Sequence, residues 1–79
     1  MADFKLKDGR EVDFDLDSIT WYEYEEFRRG ALTTDQDADV LAKASGMTID
    51  DIKKLSVMDY KRLLKALFKK SSAPVDDPN

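Results

Sequence analysis

Residues 4–14 read Phe-Lys-Leu-Lys-Asp-Gly-Arg-Glu-Val-Asp-Phe, an apolar–charged alternation centred on Asp8-Gly9. This pattern confines the start of the chain to a β-hairpin. A period of two gives each strand one apolar face, and Asp-Gly suits a tight turn. The register follows from the faces. A two-residue loop sets Leu6 opposite Glu11 and Phe4 opposite Asp13, which scatters the apolar residues over both faces. A three-residue loop, Lys7-Asp8-Gly9 with Gly9 left-handed in a bulge, pairs Leu6 with Arg10, Lys5 with Glu11 and Phe4 with Val12. Phe4, Leu6, Val12 and Phe14 then share one face and a Lys5–Glu11 pair occupies the other. The bulged turn is the expected one, within a hairpin spanning residues 3–15. Two strands alone are marginal in water, so helices or another chain must cover that face.

Three helix starts use one device. Thr20-Trp21-Tyr22-Glu23 is a capping box, with Ile19 and Tyr24 as its hydrophobic staple. Thr48-Ile49-Asp50-Asp51 repeats it with a shorter acid, stapled by Met47 and Ile52. Ser56-Val57-Met58-Asp59 repeats it again, stapled by Leu55 and Tyr60. Helices are predicted over about 21–29, stopped by Gly30; 35–45, stopped by Gly46; 49–55; and 57–70. In the last, Val57, Tyr60, Leu63, Leu64, Leu67 and Phe68 fall on one stripe at helical spacing. Residues 71–79 are polar, contain Pro74 and Pro78, and are expected to form a disordered tail. The predicted class is α+β: one small domain, residues 1–70, with an N-terminal hairpin followed by a bundle of three to four short helices.

A chain of 79 residues has room for a single domain. It contains no cysteine and no histidine, which removes disulfides, thiolate ligands, imidazole ligands and a neutral-pH proton shuttle. Ser18, Ser45 and Ser56 therefore have no histidine base, and three scattered glycines make no phosphate loop. Asp35-Gln36-Asp37-Ala38-Asp39 copies the start of a calcium loop, but its sixth position is Val40 instead of glycine. Its twelfth is Gly46 instead of a bidentate glutamate. Glu23, Glu25 and Glu26 read as a solvated acidic face. These readings predict a non-enzyme with no cofactor and no metal. No apolar run approaches the roughly 18 residues that a membrane span requires, so a soluble chain without membrane contact is expected.

Charge is uneven along the chain. Residues 1–52 hold fourteen acids and six bases, whereas residues 53–70 hold seven bases against Asp59 alone. Lysines near a helix C-terminus favour the dipole there, and no nucleic-acid motif accompanies them, so a solvated face is the expected reading. The aromatics point to binding. Trp21, Tyr24 and Phe27 can share a face and are expected in the core, with Tyr22 off that stripe on the surface. The apolar stripe of the last helix exceeds what a small bundle covers. The candidate partner-binding residues are therefore Trp21, Tyr22, Leu64 and Phe68, around a groove for an amphipathic helix or for self-association.

The order of these elements resembles the tail assembly chaperones of long-tailed bacteriophages and prophages. The likeness rests on Leu6, Asp8-Gly9, Thr20-Trp21, Tyr24, the Gly46-Met47-Thr48 turn, Leu55 and Asp59-Tyr60, and runs from about Phe4 to Phe68. It implies a non-catalytic helper of viral morphogenesis in the bacterial cytoplasm, absent from the finished virion. Such a helper binds the helical tape measure protein and helps recruit tail tube subunits, often alongside a longer frameshifted form. The alternatives are a small regulatory or adaptor domain and, less favoured, nucleic-acid binding through the basic last helix.

Overall fold

In the computed structural model, which describes residues 3–72, Gly9 stands at φ +96°. There the Leu6 carbonyl accepts from the Gly9 N–H at 3.0 Å, and the Arg10 carbonyl accepts from the Leu6 N–H at 2.8 Å. This closes the three-residue bulged turn that the apolar faces demand. A methyl on Gly9 would meet nothing within 4 Å, so glycine is required by backbone conformation alone. The strands β1 (Phe4–Lys5) and β2 (Glu11–Val12) pair antiparallel with Phe4 opposite Val12 and Lys5 opposite Glu11. Leu6, Val12 and Phe14 are buried and Phe4 packs against them, as the alternation predicts.

A short 3-10 turn, Leu16–Ser18, which the sequence reading did not anticipate, leads out of the hairpin. Asp15 caps it, and the Asp15 N–H donates to the Ala44 carbonyl at 2.7 Å. Four helices follow: α1 (Trp21–Arg28), α2 (Thr34–Ser45), α3 (Ile49–Lys53) and α4 (Val57–Ser71). The Thr20–Glu23 and Thr48–Asp51 capping boxes are both closed reciprocally. The third is half made. Ser56 Oγ accepts from the Asp59 N–H at 3.1 Å, but the Asp59 carboxylate turns to Arg62 at 3.0 Å instead of returning to the cap. A further box, Thr33 with Gln36, starts α2 and was missed, although Thr-x-x-Gln carries the same signature. Helix α1 closes one residue earlier than expected. The Ala31 N–H reaches the Glu26 carbonyl and the Gly30 N–H reaches Phe27, a paired termination around a left-handed Gly30. Helix α3 stops at Lys53 rather than 55, because Ser56 must be extended to cap α4.

Helix α2 is central, packing against the 3-10 turn, α1 and α3, while α4 packs on β1. Its alanines Ala38, Ala42 and Ala44 are buried with Val40 and Leu41, so neighbouring elements approach closely. Leu41, Leu63 and Leu67 are the large side chains with no exposure, and they form the centre of the core. Lys70 closes the structure over a separation of 67 residues: its Nζ donates to Asp3 at 2.7 Å and to the Phe14 carbonyl at 2.8 Å. This sets Lys70 apart from the solvated face expected of the basic residues, to which the exposed Lys61, Lys65 and Lys69 conform. Ser71 belongs to α4 and Ser72 caps it, and the rest of the expected tail lies outside the described residues. Among the described residues no helix is long and apolar enough to cross a membrane.

Candidate functional site

Helix α2 begins at its Thr33 cap, and α3 hands over to α4 through a single staple residue, Leu55. These two local events leave a groove of about 550 Å³ between the three helices. Ala38, Ile52, Leu55 and Tyr60 form its apolar walls, with Thr34 and Asp37 entering from α2. Val57 extends the apolar rim into solvent at 70% exposure, and its neighbour Met58 is also exposed. At the mouth Lys53 pairs with Asp35 at 3.0 Å, tying α3 to the first turn of α2.

Asp37 is the unusual group of this groove. Its Oδ1 is buried and has no hydrogen-bond partner among the described residues. Loss of water around it raises the Asp37 carboxyl above its ordinary pKa. The Tyr60 phenol across the groove is also raised, first by its own burial and then by the negative charge of Asp37. Buried polar groups are normally paired, so this oxygen, closed off from solvent and without a partner among the described residues, is an exception in the fold.

A second, smaller groove of about 350 Å³ lies at the start of α1, between Leu16, Ile19, Trp21, Tyr24 and Ser71. The Tyr24 hydroxyl and Ser71 Oγ lie 2.7 Å apart and link α1 to the end of α4. Trp21 is 77% exposed and Tyr22 62% exposed, their rings edge to face with centroids 6.2 Å apart. The expectation that Trp21 joins the core is therefore corrected. Tyr22 is on the surface as read. Residues 21, 24 and 27 each fall about 60° behind the last around the helix, so three of them cannot share one narrow face. Phe27 is buried, Tyr24 half-buried and Trp21 outside.

Of the predicted partner-binding residues, Trp21 and Tyr22 thus stand together in the open. Leu64 and Phe68 do not join them. Both are half-buried against the core, and Phe68 packs on Phe27 with ring centroids 6.1 Å apart. Neither lines either groove. Val57, placed by the sequence reading on the buried stripe of α4, is the exposed one. The groove around Asp37 and Tyr60 was not foreseen. Its one trace in the sequence is Asp37 itself, between Gln36 and Ala38 in the segment that copies the start of a calcium loop. Glu23 caps α1 and also pairs with Lys43 at 3.1 Å, so it belongs to the α1–α2 contact rather than to a free acidic face. Among the described residues no cluster of three or more carboxylates is placed to hold a metal ion.

Comparison of the chain with protein-family models, curated proteins and solved structures gave no match.

Proposed function

We propose that this chain is a non-catalytic binding protein for apolar helices, acting as a tail assembly chaperone of the long-tailed phage kind. Its partner in that reading is the tape measure protein, whose helices it keeps from aggregating while tail tube subunits are recruited. One observation carries the binding class. A domain with a closed core still holds Trp21, Tyr22, Val57 and Met58 more than half exposed, and Trp21 and Val57 each line a groove. Large exposed aromatic and apolar side chains next to concave surface are the anchors of protein interfaces. The resemblance of the hairpin, Thr20-Trp21 and Gly46-Met47-Thr48 segments supplies the tail-assembly context. Repeated helices of a long partner would engage many copies at once, so individual contacts are weak and assembly rests on multivalency.

Co-expression with a tape measure protein tests this. Recovery of a complex in which the long chain stays in solution supports the reading. Unchanged precipitation of the long chain with no co-purification removes it. Affinity that falls steeply with salt would instead favour nucleic-acid or other phosphate binding through the basic residues of α4.

A further inference from the structure

We propose that the groove between α2, α3 and α4 receives a lysine or arginine side chain set within the apolar face of a partner helix, with the Asp37 carboxylate as its counter-charge. The inference rests on the helix-binding reading and names the chemistry that the groove selects. Four features of the molecule converge on it. Asp37 lines the cleft, is half-buried and forms no ion pair among the described residues, so the part of its carboxylate that reaches the groove has no counter-charge. The groove's own cation does not satisfy it: Lys53 is engaged with Asp35 at 3.0 Å. The walls that lead to Asp37, from Ala38, Ile52, Leu55 and Tyr60, are apolar. They suit the methylene stem of a long basic side chain whose charged head reaches the carboxylate. Finally, the exposed Val57 lines the groove and carries its apolar surface to the edge, where the flanking residues of an amphipathic helix would rest.

The sign of the charge decides between occupants. Residues 1–52 carry a large excess of acid, which attracts a cationic helix and repels an acidic one. The C-terminal segment beyond α4 contains Asp76 and Asp77 and no base, so its charge does not match the groove. A second copy of the chain is the remaining competitor, through the lysines of its own α4.

The test uses the full chain labelled with ¹⁵N and two synthetic amphipathic helices that differ at one position. At the centre of the apolar face one carries lysine and the other norleucine. The expected result is that the lysine helix shifts the amides of Ala38, Ile52, Leu55 and Tyr60. It should bind about tenfold more tightly than the norleucine helix, as a charge-assisted hydrogen bond in a sheltered site requires. Asp37→Asn should abolish that difference while leaving the affinity for the norleucine helix unchanged, which a general loss of fold would not do. Equal affinity of both helices at the groove overturns the cation inference and leaves helix docking intact. Shifts confined to Trp21 and Tyr22, or no shift with either helix, overturn the inference whatever the co-expression experiment gives. A chain that sediments as a dimer with these groove amides protected by the second copy overturns it in favour of self-association.

Discussion

Asp3 accepts hydrogen bonds from Lys70 and from the Phe14 N–H, in that order of effect, and both hold its carboxyl below the ordinary value of 3.8. A carboxyl lowered in the folded state stabilises the fold above its unfolded pKa, and that contribution is lost as pH falls through the folded value. Asp37 has the opposite sign. Burial raises it, so its charged form opposes folding at neutral pH, and the penalty is relieved as pH falls through the raised value. Asp37→Asn should therefore raise the thermal midpoint at pH 7, by the equivalent of about 1 kcal/mol, with the gain shrinking on acidification. Asp3→Asn should lower the midpoint at pH 7 and converge with wild type in acid. Circular-dichroism melts of both variants across this range check the two signs. Trp21 gives a third residue-level expectation. Its exposure predicts that the emission maximum barely moves on unfolding and that Trp21→Ala changes stability by less than about 0.5 kcal/mol. Phe68→Asp, by contrast, should cost about 2 kcal/mol or more, because it places a charge against Phe27. Urea titrations of the two variants separate an anchor free for a partner from one already used by the fold.

Among the elements, α2 depends most on its cap. Its first turn holds Asp35 and Asp37 at the groove, and the Thr33–Gln36 box fixes where that turn begins. Thr33→Ala should destabilise the domain by about 1 kcal/mol, as at other helix starts with a reciprocal cap. It should also loosen the groove, seen as faster amide exchange at Asp37 and Ala38. Equal exchange at those amides in wild type and variant would show that packing of Leu41 and Ala44, not the cap, sets the position of the turn. In α4 the face that turns inward is set by Leu63, Leu67 and Lys70, spaced by four and then three residues. Lys70 thus sits on the buried line of its helix, and its long stem carries the ammonium out to Asp3 and Phe14. Val57 lies about 100° from the centre of the Leu63–Leu67 line, which explains its exposure in a stripe that looked continuous.

At the scale of the whole molecule, the Lys70 contacts join the open end of the hairpin to the last turn of the last helix. Two-residue strands make few ladder bonds, so the hairpin depends on this clamp and on the burial of Leu6, Val12 and Phe14. Lys70→Met keeps the stem and removes the charge. It should speed hydrogen exchange at Leu6 and Asp3 while leaving Leu41 and Leu63 at the global rate. A uniform change across all these amides would show that hairpin and helices open as one unit. The 3-10 turn, α1 and α4 together form one groove, lined by the exposed Trp21, while α2, α3 and α4 form the other, lined by the exposed Val57.

The sequence alone determined the features whose cause is local. The hairpin register followed from four apolar residues that must share a face, and the Gly9 bulge from the one turn that permits it. The starts of α1, α3 and α4 followed from side chains that reach backbone groups three residues away. Only the tertiary structure decided which way each helix turns. The fate of Trp21 depended on where α2 and the hairpin lie relative to an eight-residue helix whose aromatics drift around its axis. That of Lys70 depended on a carboxylate 67 positions away. The Asp37 groove needed both conditions together: an acid on one helix, and the apolar sides of two others closing around it without supplying a partner among the described residues. No spacing within the chain encodes such an absence, because a missing hydrogen bond is a property of the assembled neighbours and not of the residue.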